Sequence, residues 1–179
     1  MTMGGEDRPT TQIVEAWAER IAREALPHEA ELAATYASAF VAGGPQRADL
    51  FRRTPGGPPG AFGPAAVPAL TPLVLEAVQD FAPKLLLVLS AGYAERALRV
   101  IRDLLGIRDS LAPKGGGDSI ASASPLEPVK GFLDTLTREL QAANLSREQS
   151  EAIAYRVLRA MLEEPAGAAR FVQHVAAAR

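Results

Sequence analysis

The sequence predicts an all-α protein, a compact bundle of about six to seven helices. Apolar residues recur at helical spacing in segment after segment of the 179-residue chain. No stretch sustains strand-like alternation, and no Asn-Gly or Asp-Gly hairpin turn occurs. Apolar residues make up 47% and charged residues 22%, which is enough apolar material for a core.

The first ten residues are polar and are expected to form a flexible tail. Thr11 to Leu26 then has one apolar face, formed by Ile13, Val14, Trp17, Ala18 and Ile21. Thr10 or Thr11 is the expected N-cap, and Pro27 stops or kinks the helix. Leu32, Tyr36 and Phe40 form a four-residue stripe that ends at Gly43, a candidate for the C-terminal turn. Gln46 to Arg53 has room for two short turns.

Between Thr54 and Pro64, eight of eleven residues are Pro or Gly, so a loop is expected there, with Phe62 as its one large apolar residue. Thr71-Pro72 reads as an N-cap followed by proline at the first helical position. Pro83 then leaves two options, a long kinked helix or two abutting ones. Residues 85–89 are apolar all round, which predicts a central buried helix over about 84–105. After Gly92 that helix turns amphipathic. Ala94, Ala97, Leu98 and Ile101 face inward, while Glu95, Arg96, Arg99 and Arg102 face outward.

Residues 107–127 carry Gly115-Gly116-Gly117 and a Ser-rich run, and read as a flexible linker. Pro128 opens a helix with its apolar seam at Val129, Phe132, Leu133, Leu136 and Leu140, closed by Asn144. Ser146-Arg147-Glu148-Gln149 is a capping box that starts the next helix. Ile153, Val157 and Met161 are its seam. The short connection predicts an antiparallel hairpin. After Pro165 a short terminal helix carries Ala168, Phe171, Val172 and Val175. Residues 11–106 and 128–178 are thus two small helical units, expected to pack on one another or on a partner.

The composition excludes much chemistry. The chain has no cysteine, which removes disulfides, thiolate metal sites and thiol nucleophiles. It has two histidines. With 19 basic and 21 acidic residues, the net charge of −2 supplies no drive toward nucleic acid. Glu24, His28 and Glu31 have metal-ligand spacing, but Pro27 interrupts the face they would share. Lys114 to Ser119 is glycine-rich, yet its lysine precedes the glycines and no strand leads into it, unlike a phosphate-binding loop. Ser90 lacks the surroundings of a catalytic serine. Glu163-Glu164 reads as a solvated pair at a helix junction. No catalytic residue, metal or cofactor is expected.

From Thr54 to Ala94 the only charges are Glu76, Asp80 and Lys84, but prolines break this stretch and its longest helical apolar run is too short to span a bilayer. The start of the chain does not resemble a secretion signal, so a cytoplasmic location is expected.

These observations lead to a non-enzymatic helical interaction module that binds a protein partner or itself. Arg96, Arg99 and Arg102 are the candidate polar contacts. Phe132, Leu136, Ile153 and Val157 are the candidate contacts if the hairpin self-associates, and core residues otherwise. The alternative is a binder of a small apolar ligand, with Trp17, Tyr36, Phe40, Phe81 and Tyr93 lining the pocket. A third option is an enzyme using carboxylates or arginines without a recognisable motif.

Overall fold

The computed structural model describes residues 7–51, 69–90, 93–99, 101 and 127–178. They are helical with short connections, and no strand occurs among them. The helices are α1 (Asp7–Ala25), α2 (Ala33–Ala42), α3 (Gly44–Phe51), α4 (Leu70–Asp80), α5 (Ala82–Ser90), α6 (helical residues 94–99), α7 (Glu127–Ala142), α8 (Arg147–Glu163) and α9 (Pro165–Ala177). A short 3-10 turn, Pro27–Glu29, joins α1 to α2. The all-α bundle is as the periodicity predicts. The loop at 54–64 and the Gly/Ser run up to residue 126 lie outside the described residues, as do Phe62, Arg102 and the Lys114–Ser119 segment.

Several boundaries differ from the sequence reading, each for a local reason. The first helix begins at Asp7, inside the expected tail. Pro9 does not prevent this, because the first four N–H groups of a helix have no intrahelical acceptor. At Pro83 the chain takes the abutting option. Phe81 leaves the helical path, and Pro83 falls in the first turn of a new helix, where its missing N–H costs nothing. The expected helix over 84–105 is likewise divided, since α5 ends at Ser90 and Tyr93 is not helical. Leu87 is 64% exposed, so α5 buries only part of its apolar circumference. In the 32/36/40 stripe only Phe40 is fully buried, while Leu32 is 49% exposed on the turn before α2.

Other local signals act as the sequence predicts. Gly43 closes α2 with φ 69°, a conformation that favours glycine. Asn144 ends α7 with φ 71°. The Ser146 hydroxyl accepts from the Gln149 N–H at 3.2 Å, and the Gln149 side chain accepts from the Ser146 N–H at 3.1 Å. This reciprocal cap starts α8 directly after the turn and makes α7 and α8 an antiparallel hairpin.

One hydrophobic cluster joins the two halves of the chain. α1 packs on α2, α8 and α9; α4 packs on α2, α7 and α9; α5 packs on α9 and α7. The ring of Trp17 on α1 stacks on Phe171 of α9, with centroids 5.6 Å apart. Arg20 lies 5.0 Å from the Trp17 ring centre and pairs with Glu164. A Cβ on Gly167 would come within 3.0 Å of the Trp17 ring, so glycine permits the close approach of α9 to α1.

Two helix ends are satisfied by side chains remote in sequence. At the C-terminal end of α9, Gln79 Nε2 donates to the Val175 carbonyl at 3.0 Å and also to the Ala178 carbonyl. Arg47 donates to Ala178 O at 3.1 Å and to Gln79 Oε1 at 2.6 Å, with its guanidinium 4.0 Å from the Phe40 ring centre. These contacts fasten the orphan carbonyls of α9 to α3 and α4. At the N-terminal end of α4, Glu29 performs the corresponding task.

Glu76, half-buried on α4, has its carboxyl pKa raised above the ordinary 4.5. Burial is the main cause; Asp80 and Glu139 push it further up and Arg47 opposes them. A raised folded pKa means that this group's stabilising contribution is present below its unfolded pKa and is lost as pH rises through the folded one. Glu76→Gln is therefore expected to raise stability modestly at pH 7 and not at pH 4. Urea denaturation at both pH values tests this, and a loss of stability at pH 7 contradicts it.

Candidate functional site

The site is built from the Glu29 clamp. No side chain within α4 caps its first turn, and Ala69 precedes it. Instead the buried carboxylate of Glu29 reaches across from the 3-10 turn. It accepts from the Leu70 N–H at 2.7 Å, the Thr71 N–H at 2.8 Å and the Thr71 hydroxyl at 2.7 Å. Thr71 is thus the second residue of α4 and donates to the cap, where the sequence had suggested that it would itself be the cap. A carboxylate at a helix N-terminus also faces the positive end of the helix dipole. The clamp holds Leu70 beside His28.

Leu70 and His28 form part of one wall of a cleft of about 570 Å³. Ala25, at the end of α1, completes that wall. A single stripe of α8 also lines the cleft, Gln149, Ala152, Ile153 and Arg156, at positions i, i+3, i+4 and i+7. The stripe runs about 10 Å along the helix axis. Ala143, Asn144 and Leu145, in the α7–α8 turn, close one end. The lining is mainly apolar, with Arg156, His28 and amide groups, and among the described residues it holds no carboxylate or hydroxyl side chain. Arg156 is exposed and forms no ion pair among the described residues.

Ionic contacts beside the cleft are local. Arg159, one turn beyond Arg156, lies 3.4 Å from Glu24 and 3.6 Å from Glu163, joining α8 to α1. Glu24, His28 and Glu31 do not share a helix face, because α1 ends at Ala25 and the chain turns at Pro27. No cluster of metal-ligating side chains occurs among the described residues. Among those residues no helix is long and apolar enough to cross a membrane.

Of the seven residues proposed as partner contacts, Phe132, Leu136 and Val157 are fully buried in the chain's own core. Ile153, 9% exposed, is the one of the four seam residues that also reaches the cleft. Arg96 and Arg99 are exposed on α6, away from the cleft lining. The five aromatic residues proposed to line a pocket do not converge on this cleft. Trp17 stacks on Phe171, Phe40 lies under Arg47, and Phe81 meets Phe132 edge-on at 6.1 Å. Tyr36 is half-buried, and its hydroxyl pKa is raised by burial and then by the charge of Glu29. Tyr93 is 38% exposed.

Comparison with known proteins returns no matching family model, no similar curated protein and no similar solved structure. The functional reading accordingly rests on the cleft.

The sequence reading missed Gln149, Ala152 and Arg156. Their i, i+3, i+7 spacing is present in the sequence, but its signal is weaker than that of the apolar 153/157/161 seam on the same helix. His28, Leu70 and Leu145 come from separate segments, and no local pattern links them.

Proposed function

We propose that the protein is a non-enzymatic binding module that recognises another protein through the cleft between α1, the start of α4 and the α7–α8 hairpin. The observation that carries this reading is the lining itself. A mainly apolar lining with Arg156, His28 and amide groups suits recognition, and among the described residues it offers neither a hydroxyl nucleophile nor a carboxylate base. The cleft is partly open to solvent and not an enclosed cavity. A small ligand is usually enclosed over most of its surface, whereas an open trough leaves room for the rest of a larger partner. The burial of Phe132, Leu136 and Val157 moves the expected contact surface from the hairpin seam to its cleft-facing stripe.

The experiment is affinity capture with the full chain against an Ala152→Trp variant. Ala152 is only partly buried, so the indole fills the trough at little cost to the helix. A partner held through this cleft is lost from the variant.

A further inference from the structure

We infer that the partner segment seated in this cleft is acidic as well as apolar, a peptide of another protein with a carboxylate about one helical turn from an aliphatic or aromatic anchor. This inference rests on the binding reading above and names the chemistry of the partner. Ile153 and Arg156 are three residues apart on α8 and project toward the same trough. The apolar anchor and the counter-charge are therefore separated by about 5 Å along the helix.

The charge around the trough favours an anion. Arg156 lines it as a fixed positive charge, His28 lies 3.8 Å from the Glu29 carboxylate, and among the described residues no carboxylate lines it. Glu29 and Glu24, next to His28 and Ala25 in sequence, are already engaged. Both oxygens of Glu29 accept hydrogen bonds at the start of α4, and Glu24 faces Arg159. Glu31 and Glu148 are exposed and do not form part of the lining. Because Arg156 is exposed, water screens its pull on a carboxylate, and the carboxylate preference it supplies is a modest one, about threefold. Ala25, Ala143 and Ala152 contribute only small side chains to the lining, which leaves room for a peptide backbone to approach.

The test uses the full chain, labelled with nitrogen-15, and three probes of one shape: 4-phenylbutyrate, 4-phenylbutanol and 4-phenylbutylamine. The expected result is that amide signals of Ala143, Leu145, Ala152 and Arg156 move with the carboxylate, which binds at least about threefold more tightly than the alcohol. Arg156→Gln brings the two to parity without weakening the alcohol. If the amine binds as well as the carboxylate, or if Arg156→Gln leaves the preference intact, the acidic assignment falls while the cleft remains a binding site. If none of the three probes moves the cleft signals, the binding reading itself falls. Sedimentation velocity supplies the other control. A dimer that Ala152→Trp dissociates would give the cleft to a second copy of this chain and overturn the proposal.

Discussion

Glu29→Ala is expected to lower the unfolding free energy by about 2–4 kcal/mol, as the loss of a charged cap with several hydrogen bonds implies. The substitution leaves the Leu70 and Thr71 N–H groups without their acceptor in buried surroundings. It also removes the anion facing the α4 dipole and the partner of the Thr71 hydroxyl. Glu29→Gln keeps one oxygen as an acceptor and turns an amide NH₂ toward donors, so an intermediate loss is expected. Urea denaturation followed by circular dichroism measures both variants. An alanine variant as stable as the parent would contradict the clamp. Because the same carboxylate holds Leu70 beside His28, its loss should also loosen the cleft, and hydrogen exchange at the start of α4 should rise.

Phe132→Ala is expected to cost about 3–5 kcal/mol, the usual range for truncating a buried aromatic ring. Phe132 has no exposed surface and meets Phe81 at the junction of α4 and α5. The cavity would open where α7 packs on α4 and α5. Set against a total stability of about 5–15 kcal/mol, this is a large share. The account thus predicts unfolding at much lower denaturant, with no change in subunit number before unfolding. Dissociation of a folded oligomer by this substitution would instead return Phe132 to the role of a self-association contact.

The sequence made the architecture legible where one local rule governed each step. The capping box at Ser146, the reversed backbone at Asn144 and Gly43, and the seams of α7, α8 and α9 all depend on residues within a turn or two of each other. It was less informative where the deciding partner was remote. Nothing near Leu70 indicates that its N–H is capped by Glu29, 41 positions earlier. Nothing near Val175 indicates that Gln79 will meet its carbonyl. Residues 85–89 suggested a wholly buried helix because composition records how apolar a segment is and not how many neighbours surround it. Leu87 remains outward. The cleft was hidden for a related reason. Ile153 belongs both to the core seam and to the trough, and only the arrival of Ala25, His28 and Leu70 from other segments separates those roles.

The central claim is that recognition occurs at the trough beside α8, and affinity capture with the Ala152→Trp variant tests it most directly. The account predicts that a protein retained by the parent chain is lost from the variant, while circular dichroism and the urea midpoint stay close to those of the parent. Retention of the same protein by a folded Ala152→Trp variant would contradict it and place recognition on another face.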